Sequence, residues 1–64
     1  MDTLEVMRQD LIFAGFRRDF INVLNAYALT TLYDLWDVED PDEQMINAEE
    51  FLKEYGFTKK EAFA

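Results

Sequence analysis

The sequence of 64 residues contains no cysteine and no histidine. The lack of cysteine excludes disulfide bonds and thiolate metal sites. The lack of histidine removes the usual general base, the Ser–His and Cys–His nucleophile pairs, and zinc sites of ordinary composition. No apolar run approaches the length of a membrane span, and the opening residues MDTLEVMRQD are acidic, unlike a signal peptide. We therefore expect a cytoplasmic protein that does not enter a membrane.

Glycine and proline are also scarce, with two glycines and one proline. No glycine-rich loop is present that could hold a phosphate, and a chain this short offers little room for the cleft that acid–base catalysis needs. We therefore expect no enzyme activity and no cofactor. Half of the residues are apolar and 16% are aromatic, which argues against disorder. The chain is long enough for one small domain, near the lower limit for a self-sufficient core.

Helix start and stop signals predict an all-α single domain of four to five helices, at about residues 3–14, 17–27, 31–37, 41–55 and 59–63. Three start signals are capping-box patterns, and the fourth combines an aspartate cap with proline at the first helical position. Gly15 and Gly56 are each followed by phenylalanine and are typical helix stops. The segments AGFRRDF (14–20) and YGFTKKEAF (55–63) therefore read as two uses of one helix-to-helix corner. The start signals are Asp2/Glu5, Thr31/Asp34, Thr58/Glu61 and Asp40-Pro41.

Helical spacing predicts the core positions. The predicted buried stripes are Leu4, Met7, Leu11 and Ala14 in the first helix; Phe20, Val23, Leu24 and Tyr27 in the second; Leu29, Leu32, Leu35 and Trp36 in the third; and Met45, Ala48, Leu52 and Tyr55 in the fourth, flanked by Phe51. Val6 and Phe13 lie on the opposite side of the first helix. That helix is therefore either sandwiched between other elements or part of a homodimer interface through Val6 and Phe13.

The strongest compositional feature is the segment 34–50, DLWDVEDPDEQMINAEE, which holds eight carboxylates and no lysine or arginine. The remaining six acidic residues are matched by the six basic residues, so the formal charge of −8 belongs to this segment. Ile46 is predicted to point away from the core among these charges. The candidate partner-binding residues are Asp34, Trp36, Asp37, Glu39, Asp40, Asp42, Glu43, Ile46, Glu49 and Glu50.

A calcium loop does not fit this segment. An EF-hand loop that begins at Asp37 would place Pro41 at a ligand position and Ala48 at the bidentate position, and a loop that begins at Asp40 would place Phe51 there. Carboxylates that begin a helix are explained by the helix dipole without an ion. We therefore expect no metal site.

Two stretches resemble known families. The first is the pattern N-x-L-x4-L-x2-L-x-D-L, formed by Asn22, Leu24, Leu29, Leu32 and Asp34-Leu35. It resembles the start of the C-terminal domain of the bacterial RNA polymerase alpha subunit, a relative of helix-hairpin-helix modules. The segment FLKEYGF (51–57) is similar to that family's closing helix. The resemblance implies minor-groove DNA contacts by an Arg and an Asn. Asn22 matches the Asn, whereas Asp19 stands at the Arg position with Arg18 beside it. The family's glycine-containing hairpin has no counterpart.

The second resemblance is at LIFAGF (11–16), followed by an amphipathic helix. This stretch looks like the corner of ubiquitin-associated domains, which implies ubiquitin binding through an apolar patch.

Three interpretations of the acidic segment remain open. It is a solvated face that maintains solubility, a surface that binds a basic protein through Trp36 and Ile46 as apolar anchors, or a mimic of nucleic acid. The concentration of charge favours binding, so we predict a protein-binding regulator or inhibitor of the phage or mobile-element type. The alternative is a nucleic-acid-binding helix-hairpin-helix relative that uses Arg17, Arg18 and Asn22. The acidic charge disfavours that alternative because like charge repels a duplex.

Overall fold

The computed structural model describes residues 2–64 and confirms the all-α prediction. Within these residues there is no β-strand, only an isolated antiparallel bridge between Phe16 and Phe63. The five helices are α1 (Thr3–Ala14), α2 (Arg18–Val23), α3 (Ala26–Trp36), α4 (Pro41–Tyr55) and α5 (Lys59–Ala62).

Most helix ends follow the predicted capping chemistry. The Asp2 carboxylate accepts a hydrogen bond from the Leu4 amide at 3.0 Å, and the Asp40 carboxylate accepts one from the Asp42 amide at 2.9 Å. At α5 both halves of the capping box between Thr58 and Glu61 are present. The box predicted at α1 is only half formed, because the Glu5 carboxylate accepts hydrogen bonds from the side chains of Arg8 and Gln9.

The boundary between α2 and α3 differs from the prediction. We predicted helices at 17–27 and 31–37, but α2 ends at Val23 and α3 begins at Ala26. The Asn25 side chain caps α3 by accepting a hydrogen bond from the Ala28 amide at 2.8 Å. Thr31 is not a cap; its hydroxyl donates to the Tyr27 carbonyl at 2.8 Å, a bond that a threonine inside a helix can make.

This early break corrects two predicted core residues. Val23 and Tyr27 are 67% and 75% exposed, because the extended Leu24 changes the direction of the chain after α2. The prediction assumed one continuous helical phase from residue 17 to 27. With a new helix starting at Ala26, the buried residues of α3 are Ala28, Leu29 and Leu32.

The core is centred on α3, which packs against α1 on one side and α4 on the other. α2 contacts α1, and α5 contacts both α2 and α4. Met45 is partly exposed at the edge of its predicted stripe. The buried apolar residues are Leu11, Phe16, Phe20, Ile21, Leu24, Ala28, Leu29, Leu32, Ala48, Phe51, Leu52 and Ala62.

The two Gly-Phe corners share one helix-stop hydrogen bond, although the two glycines differ in backbone conformation. Gly15 and Gly56 have positive φ values of 126° and 79°, which glycine adopts without a Cβ clash. The Phe16 amide donates to the Leu11 carbonyl at 3.1 Å, and the Phe57 amide donates to the Leu52 carbonyl at 2.9 Å. Both bonds span five residues, as in a Schellman helix stop.

The end of the chain pairs with the first of these corners. The Arg17 amide donates to the Ala62 carbonyl at 2.7 Å, and the Ala64 amide donates to the Gly15 carbonyl at 2.9 Å. The rings of Phe16 and Phe63 stack with their centroids 5.0 Å apart. The pairing joins α5 to the α1–α2 corner.

The predicted second stripe of α1 lies on the surface. Val6 is 38% exposed and Phe13 is 94% exposed. No neighbour within residues 2–64 covers Phe13, so α1 is not sandwiched inside the monomer. A homodimer interface through these residues remains a prediction.

Leu52→Ala should lower the free energy of unfolding by about 2–5 kcal/mol, because the leucine is buried and the substitution leaves a cavity. Phe13→Ala removes a larger side chain but should change stability by less than about 0.5 kcal/mol, because that ring is exposed. Urea unfolding followed by circular dichroism at low protein concentration measures both. Equal losses in the two variants would contradict this description of the core.

Candidate functional site

The segment 34–50 carries its eight carboxylates at the protein surface. It comprises the end of α3, the connection 37–40 and most of α4. All eight carboxylates are exposed. We call this feature the acidic surface; its carboxylates are Asp34, Asp37, Glu39, Asp40, Asp42, Glu43, Glu49 and Glu50.

Two side-chain amides of α4 hold the end of α3. The Gln44 amide donates to the Trp36 carbonyl at 2.9 Å, and the Asn47 amide donates to the Leu35 carbonyl at 2.8 Å. The last carbonyls of a helix have no partner within that helix. The Asn47 amide satisfies the Leu35 carbonyl, and the Trp36 carbonyl accepts from the Val38 amide at 2.9 Å as well as from Gln44. We call this pair of bonds the amide latch. It brings the carboxylates at the end of α3 next to those at the start of α4.

Gln44 and Asn47 were not among the residues predicted from the sequence. Their signal is two amide side chains three residues apart, at the boundary between the core stripe and the solvent face of α4. Amide side chains at such positions can donate hydrogen bonds to the backbone of a neighbouring helix, and no charge is buried in the process.

The helix dipoles act differently on the two halves of the acidic surface. Asp40, Asp42 and Glu43 lie at the positive end of α4, which stabilises negative charge. Asp34 and Asp37 lie at the negative end of α3, where the dipole disfavours them, and α3 has no basic residue in its last turn. The charge at the end of α3 is therefore retained at some cost to stability.

Little of this charge is neutralised inside the protein. Among residues 2–64, the ion pair that involves the acidic surface is Glu49 with Lys59, at 3.0 Å. Both partners are exposed, so the pair contributes little to stability. The surface therefore attracts cations from solution.

Ile46 lies in the middle of the α4 part of the surface. It is 57% exposed, as predicted from its helical phase. The positions three and four residues away on either side all carry carboxylates, and these positions are its neighbours on the helix surface. They are Asp42, Glu43, Glu49 and Glu50.

Trp36 differs from Ile46 in its environment. Its ring is half-buried and meets Phe16 edge to face, with centroids 4.9 Å apart. Trp36 therefore belongs partly to the core, and only one part of the ring is open to solvent. The more exposed apolar anchor of the surface is Ile46.

A hydrogen bond connects α1 to α3 beside this surface. The Tyr33 hydroxyl donates to Asp10 Oδ2 at 2.9 Å. This bond, with the negative charge of Asp10, raises the pKa of Tyr33 above its ordinary value. Neither residue was singled out from the sequence, because a pairing across 23 positions leaves no local signal.

The residues of the alternative nucleic-acid site are also brought together. Arg17, Arg18 and Asn22 border one shallow depression, which Asp19 shares. The Arg17 guanidinium donates to Asp19 Oδ1 at 3.2 Å, and this hydrogen bond lowers the pKa of the Asp19 carboxyl. The carboxylate at the position where the resembled family has an Arg therefore offsets one of the two cations.

No group of three or more acidic side chains within residues 2–64 converges closely enough to hold a metal ion. In the same part of the chain, no helix combines the length and the apolar character needed to cross a membrane.

No family model, curated protein or solved structure matches the chain. The resemblances to the RNA polymerase alpha C-terminal domain and to ubiquitin-associated domains rest on the residues quoted for them.

Asn47→Ala tests the amide latch. The variant should lose about 1 kcal/mol of unfolding free energy relative to Asn22→Ala, because the Leu35 carbonyl loses its side-chain donor. Asn22 is exposed on α2, so its substitution provides the same gain in helix propensity without removing this bond. Urea unfolding compares the two variants, and equal stability would mean that the latch contributes nothing.

The Asp10–Tyr33 hydrogen bond predicts a pH effect above neutrality. A raised pKa in the folded state means that the bond stabilises the fold below the ordinary tyrosine value of 10.0 and that this contribution is lost as pH rises through the raised pKa. In Asp10→Asn, Tyr33 should ionise at lower pH, as followed by carbon NMR of the tyrosine Cζ atoms. Asp42→Asn, which removes a charge elsewhere, is the control. The same titration in wild type and Asp10→Asn would disprove the assignment.

Proposed function

We propose that this protein is a small interaction module that binds a basic protein through its acidic surface and regulates or inhibits that partner by covering its cationic region. The observation that carries the proposal is the exposure of all eight carboxylates of segment 34–50, of which, among residues 2–64, Glu49 alone has an ion-pair partner. A charge distribution needed only for solubility would not have to be confined to one segment.

The apolar content of the surface also supports binding. Protein interfaces combine apolar anchors with a polar, solvent-accessible rim. Ile46 is an exposed apolar side chain whose neighbours on the helix are all acidic. The carboxylates would attract and orient a basic partner, and Ile46 would bury apolar area once the partner is in place.

A partner whose cationic surface normally holds nucleic acid fits this arrangement. Carboxylates along α3, the connection and α4 would then occupy positions that phosphates otherwise fill. Inhibition would follow from direct competition, because both ligands need the same lysines and arginines.

The alternative is nucleic-acid binding through Arg17, Arg18 and Asn22, which is favoured by their position around one depression. It is weaker on physical grounds. Asp19 pairs with Arg17, and the net charge of −8 repels the phosphate backbone.

A charge-matched pair of variants tests the proposal. Glu39→Lys with Glu50→Lys reverses two charges on the acidic surface, and Glu5→Lys with Glu54→Lys reverses two charges outside it. Both variants have the same net charge, and all four glutamates are exposed. Within residues 2–64, Glu5 pairs with the side chains of Arg8 and Gln9 at the surface of α1, so its loss should cost little stability.

Each form is used as bait in a host extract, and proteins captured by wild type are then titrated as purified partners. Reversal on the acidic surface should weaken binding at least about tenfold, or about 1.4 kcal/mol, while the control should retain most of the affinity. Equal loss in both variants would show that net charge alone matters. Stronger binding of a DNA duplex by the Glu39→Lys/Glu50→Lys variant, with wild type already binding, would favour the alternative.

A further inference from the structure

A small cavity adjoins the acidic surface where four parts of the chain meet: the second half of α1, the end of α3, the start of the connection and the first turn of α4. Its volume is about 190 Å³. Pockets for small-molecule ligands are about 300–1,000 Å³, so this one suits a single side chain. Its lining residues are Asp10, Leu11, Ala14, Tyr33, Trp36, Asp37, Val38 and Gln44.

The walls of the cavity are apolar and aromatic. Leu11 and Ala14 contribute from α1, Val38 from the connection, and Trp36 from α3. The Trp36 ring is fixed by its contact with Phe16, so the part that remains open keeps a defined orientation. An aromatic face of this kind attracts a cation, and a planar cation can also stack on it.

The polar groups of the cavity are mainly acceptors. Asp10 on α1 and Asp37 at the end of α3 are exposed carboxylates from different elements. The Tyr33 hydroxyl donates to Asp10 Oδ2, which leaves Asp10 Oδ1 available. Gln44 donates to the Trp36 carbonyl, which leaves its side-chain oxygen to accept.

We propose that this cavity receives one arginine side chain of the basic partner. A guanidinium group carries only donors, is planar and forms paired hydrogen bonds with carboxylates, so it matches acceptor groups beside an aromatic wall. Lysine offers a compact charge without a plane to stack. The inference rests on the proposed function, because it names the partner side chain that the acidic surface would anchor.

Trp36 is the only tryptophan of the chain, so its fluorescence reports on this cavity. The probe is a short capped peptide with one arginine between glycines, compared with peptides that carry lysine or citrulline at that position. The arginine peptide should change Trp36 fluorescence and shift the backbone NMR signals of Ala14 and Val38. The uncharged citrulline peptide should have little effect. An equal response to citrulline or to lysine would overturn the assignment to a guanidinium.

The matched variants are Asp37→Asn and Asp34→Asn. Each removes one negative charge from the last turns of α3, but only Asp37 lines the cavity. Asp37 caps α3 through its backbone amide, which asparagine retains. Asp37→Asn should weaken binding of the arginine peptide about fivefold, and Asp34→Asn less than about twofold. The same affinity in both variants would overturn the proposal.

The two proposals can fail separately. If the Glu39→Lys/Glu50→Lys variant loses partner binding but Trp36 shows no arginine-specific response, the proposed role of the acidic surface is supported and the arginine cavity is disproved. If Trp36 shows an arginine-specific response but the double charge reversal leaves partner binding unaffected, the arginine cavity is supported and partner binding through the acidic surface is disproved.

Discussion

The arrangement of the acidic surface depends on the amide latch between α3 and α4. Two neutral side chains on α4 donate hydrogen bonds to the Leu35 and Trp36 carbonyls. A lysine or arginine at either position could make similar bonds and would suit the helix dipole. It would also place positive charge in the middle of the carboxylates. Neutral amides close the α3–α4 joint while leaving its charge available to a partner.

Aromatic contacts in the core also hold the end of α3 in place. Phe16 follows the first helix stop and contacts both Phe63 at the end of the chain and Trp36 at the end of α3. A short domain buries little apolar area per residue, and aromatic pairs add favourable contacts beyond that area. Phe16 therefore joins the paired helix corners to the acidic surface, and it orients the tryptophan that forms one wall of the small cavity.

Charge is distributed unevenly over the molecule, and this asymmetry connects the structure to the proposed function. At the α1–α2 corner, Arg17 pairs with Asp19, so positive charge there is partly neutralised. On the acidic surface, Glu49 has an internal ion pair with Lys59, and the other carboxylates meet solvent. A cationic partner would gain the most binding free energy at the acidic surface, where apolar side chains lie among the charges.

The sequence alone determined the helix caps at Asp2, Asp40 and Thr58, the stops at Gly15 and Gly56, and the exposure of Ile46. These signals act within four or five residues, so local chemistry is sufficient. Thr31 was predicted as the start of α3, but Asn25 caps that helix. Both residue types can cap a helix, so residue type does not decide between them. The tertiary structure selected Asn25, since that start turns Leu29 and Leu32 into the core between α1 and α4. The amide latch and the cavity required the same packing, because they join residues of different helices.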